Sequence, residues 1–335
     1  MSDILLAKTL LPDGWIDTAI GEAHIVKEAL FKSCNFSKSH LVNLELDKKC
    51  EYPAPNGYPP LVKLLEDRHN APVIITNGAK QALSATFYAI NAMGKTNLGM
   101  RTPYWALIPP LAKMHGLKFV QKDYDAYLAI LPNNPCGFMF DYDYAKYLSD
   151  HHKELGIPFI HDAVYYSHTY LPLSYNLGPL GDLQIYSMSK MFGLSGLRVG
   201  YIVCYNKDYY KTLQEYIETT TVGVSVASQY ICHNILKELA QEDKYSKFIE
   251  ESRNKLYIAK ALCKTIRKDV LGVPDDFMES NGIFGWFKVG ERCDFTKARI
   301  NTVNGKLFGD ESMVRFNLGL PTNTMIEVVE RLNSL

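Results

Sequence analysis

Between residues 72 and 220 the chain alternates short, almost purely apolar runs with segments whose apolar residues recur at helical spacing. Val73-Ile74-Ile75-Thr76 is a β-branched run, and after Asn77-Gly78 positions 79–92 predict an apolar helix. Further strand-like runs fall at 117–120, 127–131, 157–160, 183–188 and 199–204, with an amphipathic helix predicted over 142–155. Apolar strands with no polar face, separated by helices, predict an α/β fold: a mostly parallel sheet covered on both sides. The flanks read differently. A helix is predicted over 25–32 and a charged helical stretch over 236–264, followed by strands at 282–289 and 313–318. This order suits a smaller α+β domain built from both chain ends, residues 1–45 and 236–335, attached to a large domain spanning 46–235.

Composition narrows the functional classes. Hydrophobic residues make up 47% and charged residues 21% of the 335 positions, values of an ordinary globular protein rather than a disordered or coiled-coil chain. Lys+Arg and Asp+Glu are both 36, so the net charge is zero, which excludes the broad basic face of a nucleic-acid or anionic-membrane binder. The seven cysteines (Cys34, Cys50, Cys136, Cys204, Cys232, Cys263, Cys293) show no CxxC pair and read as buried, reduced thiols. No apolar run reaches membrane-spanning length and no export signal opens the sequence, so a cytoplasmic location is expected and Asn35-Phe36-Ser37 is read as a chance glycosylation match. His24, His151, His152, His161 and His168 have no metal-ligand spacing and are expected on the surface or behind the site. Arg101 and Arg292 read as surface ion pairs, and 284–287 as small-domain core.

In an open parallel sheet the ligand crevice lies beyond the carboxyl ends of the strands, so the polar residues that end each run carry the chemistry. The first run ends in Asn77-Gly78-Ala79-Lys80-Gln81, where small residues leave free amides at a helix start; a phosphate cradle and simple turn geometry both fit. Neither GxGxxG nor GxxxxGK[ST] occurs. Another run ends in His161-Asp162, a carboxylate that either caps the next element or meets a cation in the crevice. A third leads into Ser187-Met188-Ser189-Lys190-Met191-Phe192-Gly193-Leu194-Ser195-Gly196-Leu197-Arg198-Val199-Gly200. A lysine among apolar residues has a depressed pKa and becomes a nucleophile able to form a Schiff base, while Arg198 with Ser187 and Ser189 suits a phosphate. Lysine, carboxylate and phosphate cradle at neighbouring strand ends together match the needs of pyridoxal phosphate.

The Lys190 segment resembles the lysine signature of the fold-type I pyridoxal-phosphate-dependent enzymes, aminotransferase class I/II family, and matching motifs run from about residue 16 to the C-terminus. The resemblance implies an aminotransferase that moves an amino group between an amino acid and a 2-oxo acid through a Lys190 Schiff base to pyridoxal 5'-phosphate. It implies phosphate binding by the amides of Gly78, Ala79 and Lys80 with Ser187, Ser189 and Arg198. Trp105, rather than Tyr104, would stack on the pyridine ring; Asn134, in Asn-Asn-Pro-Cys-Gly, and Tyr165 would hydrogen-bond the phenolic oxygen; Asp162 would pair with the ring nitrogen. Tyr52 would reach the phosphate of a partner subunit, which implies a homodimer with active sites at the interface. Arg315, and Asn134 beside it, would take the substrate carboxylate, and the Gly21 segment would shape the substrate pocket. That segment reads Gly21-Glu22-Ala23-His24 where the family commonly has Gly-x-Pro-Asp, and Cys136 stands where Thr is usual. Decarboxylation or β/γ-elimination on the same cofactor is the alternative, because no motif fixes which bond at Cα breaks. No metal, nucleic acid or membrane partner is expected.

Overall fold

A computed structural model describes residues 11–34, 51–137, 142–166, 179–241 and 243–335. Asn35, Cys50 and His168 lie outside the described residues. The strands are β1 (Ile16–Asp17), β2 (Val73–Thr76), β3 (Asn97–Gly99), β4 (Lys118–Val120), β5 (Ala126–Ile130), β6 (Phe159–Asp162), β7 (Leu183–Ser187), β8 (Gly200–Cys204), β9 (Leu271–Gly272), β10 (Phe284–Val289), β11 (Ile300–Asn301), β12 (Val303–Asn304) and β13 (Met313–Asn317).

Seven of them form the large sheet in the order β2-β8-β7-β6-β5-β3-β4. The pairs from β7 to β4 are parallel, and β8 runs antiparallel to both neighbours, giving the mostly parallel α/β architecture the apolar runs predict. The reversal at β8 follows from how its connection is used: residues 188–199, which join it to β7, are spent on the Met188–Met191 and Ser195–Leu197 turns rather than on one crossing helix. A parallel return needs a crossover of a dozen residues or more, usually with a helix long enough to cross the sheet face. Every residue of β2, β6, β7 and β8 is buried, as strands sandwiched between helix layers must be. Burying each large aliphatic side chain there contributes about 1.5–3 kcal/mol.

The second sheet is antiparallel, in the order β12-β13-β10-β9. The N-terminal segment is stitched beside it: β1 pairs in parallel with β11, placing Ile16 opposite Ile300. The helix His24–Ser33 packs against the long helix Lys244–Lys264, with ion pairs Lys32–Glu251 (3.0 Å) and Lys255–Glu28 (2.9 Å) across the seam. The single helical stretch expected over 236–264 is instead two helices, Val226–Leu239 and Lys244–Lys264. The apolar stripe that buries Ile235, Leu236 and Leu239 stops before the polar positions Gln241 and Asp243, and resumes on a new axis with Phe248 and Ile249. One histidine expectation changes: His152 is neither on the surface nor beside the site but buried, at 2% exposure, and bonds Leu148 O at 2.7 Å. His161, at 0% exposure next to Asp162, bonds Leu131 O at 3.0 Å. Cys34, Cys204, Cys232 and Cys263 are buried free thiols, whereas Cys136 and Cys293 are only half-buried, being on loop and turn segments.

Candidate active site

A cavity of about 760 Å³ opens where the carboxyl ends of β5, β6 and β7 face the second sheet, lined from both sides by residues far apart in sequence. Its lower wall is the strand-end chemistry. Thr76 ends β2, and Gly78 starts the helix Gly78–Ala92 with φ +75°, a left-handed conformation that favours glycine. A Cβ on Gly78 would stand 2.5 Å from Arg198 Nη2, so the missing side chain is also what lets the guanidinium lie over the helix N-terminus. Arg198 itself adopts φ +53°, and its Nη1 donates to Ser195 O at 3.0 Å, which fixes the head group. Amides, guanidinium and the hydroxyls of Ser187 and Ser189 thus face one corner. The Ser189 hydroxyl is buried there without a hydrogen-bond partner among the described residues. Lys80 and Trp105 line the same corner, the ammonium 5.8 Å from the indole centroid, and burial together with Arg198 pushes the Lys80 pKa down.

Lys190 sits on the one-turn helix Met188–Met191, held by Phe192 N donating to Met188 O. Its Nζ donates to Gly21 O, in the N-terminal segment. Desolvation, with the charges of Arg315 and Arg198, holds the amine's pKa down to about 8, and Glu22 opposes that shift only in part. Gly21 is a close-approach position: a Cβ would lie 2.6 Å from the Phe284 ring and 3.5 Å from Lys190 Nζ.

Asp162 ends β6 at 4% exposure. It accepts from Val164 N at 3.1 Å, which is the turn-capping role, but no cation reaches it among the described residues. Burial therefore raises its pKa to about 7. Asn134 (4% exposed) donates to Tyr165 Oη at 3.3 Å and accepts from Arg315 Nη1 at 2.9 Å, joining the two walls. Tyr165 is buried with its phenol pKa pushed up by desolvation, so it stays a donor.

The upper wall comes from the second sheet. Arg315 on β13 is 7% exposed, and its guanidinium carbon lies 4.2 Å from the Phe284 ring centroid and 5.3 Å from that of Phe308. Nη2 donates to Ala19 O at 2.6 Å, while Nε is buried without a partner among the described residues. Desolvation lowers its pKa to about 10, and among the described residues no carboxylate balances it. A fixed guanidinium between two aromatic faces, with N–H donors left over after its bonds to Asn134 and Ala19, is a receptor for a carboxylate.

Of the positions singled out in the sequence, Lys80, Trp105, Asn134, Asp162, Tyr165, Ser187, Ser189, Lys190, Arg198, Arg315, Gly21 and Ala79 all line this one cavity, with Gly78 directly beneath Arg198. Tyr104 is turned away, edge-on to Phe119 with centroids 4.7 Å apart. Tyr52 is 86% exposed and does not line the cavity. Arg292 pairs with Asp269 at 3.6 Å on the surface. Reading 284–287 as core alone was incomplete: Phe287 is core, but Phe284 and Trp286 lie on the opposite face of β10, toward Arg315 and Phe308. Strand alternation carries that split: Lys288, exposed and in phase with Phe284 and Trp286, marks the face opposite Phe287. Ala19, Ile20, Asn301–Asn304, Lys306 and Leu307 also line the cavity, and nothing in their local pattern marks them.

A buried carboxylate without a cation, a buried hydroxyl without a partner beneath an arginine-covered helix start, and a lysine of lowered pKa between them fit the ring nitrogen, phosphate and aldehyde of pyridoxal phosphate. The family model described as Allinase (Alliinase_C) matches residues 67–335, which includes every one of these groups. The chain belongs to the allinase family. Among curated relatives of this allinase-family chain, tryptophan aminotransferase-related protein 2 of Arabidopsis thaliana is 28% identical over 282 residues, covering 73% of the chain and 62% of the relative. The chain thus spans about three fifths of that relative's length. A probable aspartate/prephenate aminotransferase of Aquifex aeolicus is 24% identical over 351 residues, covering 90% of the chain and 87% of the relative. Aspartate aminotransferase from Thermotoga maritima superposes with a TM-score of 0.75 over 96% of the chain and 91% of its own length, at 19% identity, and shares the fold. The architecture is that of the fold-type I pyridoxal-phosphate-dependent enzymes.

Proposed function

We propose that the protein is a pyridoxal-phosphate-dependent aminotransferase acting on an amino acid and a 2-oxo acid. The observation that carries the reading is the pairing, in one cavity, of a Lys190 amine of lowered pKa with an Arg315 guanidinium that has no anion of its own among the described residues. When bound, pyridoxal phosphate supplies an electron-accepting ring that stabilises negative charge at the substrate Cα. Arg315 takes the substrate carboxylate through the donors that face the cavity, and the stack of Phe284 and Phe308 keeps that ion pair dry and therefore strong. Asp162 keeps the ring nitrogen protonated. Its own pKa of about 7 without a cation falls once one is present, so the carboxylate ionises as the pair forms. Asn134 and Tyr165 donate toward the ring oxygen, and Asn134 also fixes Arg315, so cofactor and substrate groups share one anchor. Lys190 Nζ, its pKa lowered to about 8, accepts the proton from Cα and returns it on the other side of the reaction.

The test is to supply a panel of amino acids with a 2-oxo acid acceptor and follow the amino group. Its appearance on the acceptor supports the reading. Release as ammonia without consumption of the acceptor would replace it with the second reading, a β-eliminating lyase, which the Allinase description favours. Two parts of the proposal concern assembly and location. Tyr52, 86% exposed and remote from its own cavity, is available to a second copy, which supports a homodimer. The described cysteines are all free thiols, which supports the reducing cytoplasm.

A further inference from the structure

Lys260 is a fully buried lysine that belongs to neither wall of the cavity. It lies on the inner face of the helix Lys244–Lys264 with 0% exposure, beside Leu256 and Cys263. An ammonium in such a place is costly unless it is well solvated by protein, and here its Nζ donates to the carbonyls of Met278, at 3.4 Å, and Ser280. One turn along the same helix, Lys264 Nζ donates to Pro274 O at 3.0 Å and Asp275 O at 3.2 Å. The two lysines hold both ends of the turn 274–280.

The chain leaving that turn is the seam between the two walls. Asn281 N donates to Gly137 O at 2.7 Å, and Gly137 N donates to Asn133 O at 3.0 Å, so residue 281 is tied to the loop that carries Asn134. The fit there is close: a Cβ on Gly137 would stand 2.6 Å from Asn281 O and 3.1 Å from Phe284 O. Three residues further on, Phe284 forms one face of the Arg315 stack. We propose that Lys260 is a positioning residue that sets the 280–284 segment, and through it the Asn134–Arg315–Phe284 constellation that receives the substrate carboxylate. The inference rests on the functional reading above. It also predicts an asymmetry, because the phosphate corner is held by Gly78, Ser189 and Arg198 on other elements, which Lys260 does not touch.

The experiment titrates the pyridoxal-phosphate-loaded protein with 3-phenylpropionate, a carboxylate without an amino group and so unreactive, and measures its affinity by calorimetry. Lys260→Met is expected to weaken that affinity about tenfold while the affinity for pyridoxal phosphate stays within about threefold of wild type. Lys260→Gln, which keeps a shorter neutral donor, is expected to recover part of the loss and supplies the comparison if the methionine variant does not fold. Cys263→Ala, on the same helix face, is expected to lower the melting temperature without moving the carboxylate affinity. Carboxylate affinity within twofold of wild type in a folded Lys260 variant would overturn the assignment, as would an equal loss in Cys263→Ala. A wild-type protein that binds no carboxylate would overturn the functional reading and this inference together.

Discussion

The two walls of the cavity are built on opposite principles. The lower wall gathers its groups at strand ends of one buried sheet, each within a few residues of an apolar run: Gly78 after β2, Asp162 at the end of β6, and Ser187, Ser189 and Lys190 where β7 ends. The upper wall draws Ala19, Phe284, Asn301 and Arg315 from four distant stretches and aligns them through backbone pairing, as when Trp286 sits opposite Arg315 and Ile16 opposite Ile300. Rigid strand ends suit a permanent occupant, and a composite wall suits one that comes and goes.

Substitutions should separate the two walls. The largest effect is expected at their shared centre: Lys190→Ala should lower turnover by about 10³-fold or more, measured as amino transfer at saturating substrate, because the variant loses the amine that moves the Cα proton. Turnover near wild type would remove the lysine from its role. On the upper wall, Arg315→Ala should cost about 100-fold in kcat/KM, expressed chiefly in KM for both the amino acid and the oxo acid, with cofactor affinity little changed. A loss carried by kcat alone would mean that the guanidinium does not hold the carboxylate. On the lower wall the pattern should reverse. Gly78→Ala forces a Cβ against Arg198 and strains a positive φ, so affinity for pyridoxal phosphate should fall about tenfold, by equilibrium dialysis, with KM for the amino acid unmoved at saturating cofactor.

The smallest effect is a thermal one and concerns the cofactor-free protein. Asp162 keeps its proton to about pH 7 when folded, against 3.8 ordinarily, so the folded state binds more protons between those values and stability is lost as pH rises through them. His161, whose pKa falls from 6.5 to about 4, has the opposite slope between pH 4 and 6.5. The informative quantity is therefore the difference between wild type and Asp162→Asn. The variant should gain about 5–10 °C in melting temperature relative to wild type between pH 4 and 7, and the gap should narrow when pyridoxal phosphate is added. Parallel melting curves across that range would show that the carboxylate ionises freely.

The same division explains what could be read from the sequence. The large sheet announces itself because buried strands are apolar at every position, and its functional residues stand out as the polar exceptions at their ends. Lys190 and Asp162 were accessible in this way even before any resemblance was considered. β3, Asn97-Leu98-Gly99, escapes notice because three residues with a single large apolar side chain carry no periodicity. On the upper wall Arg315 and the Gly21 segment were anticipated, through their motifs. Phe284 was legible only from the alternation that Lys288 marks along β10, a signal the apolar 284–287 run masks, and Ala19 and Ile20 become functional only when β1 finds β11 across 283 residues of chain. Tertiary pairing of that kind leaves no trace in local composition. The break between the helices Val226–Leu239 and Lys244–Lys264 was missed for a related reason: a change of helix axis shows only as a shift in which side of the stripe is buried.

The contact between Lys190 Nζ and the Gly21 carbonyl has a consequence beyond catalysis. The amine is borne by the large sheet, whereas the carbonyl belongs to a strap anchored on the small one, with Asn317 Nδ2 donating to the carbonyls of Ile20 and Glu22 at 2.7 and 2.8 Å. The acidity of a single side chain is thereby tied to how the two halves of the molecule are docked, and an NMR signal from that amine would serve as a built-in gauge of their alignment.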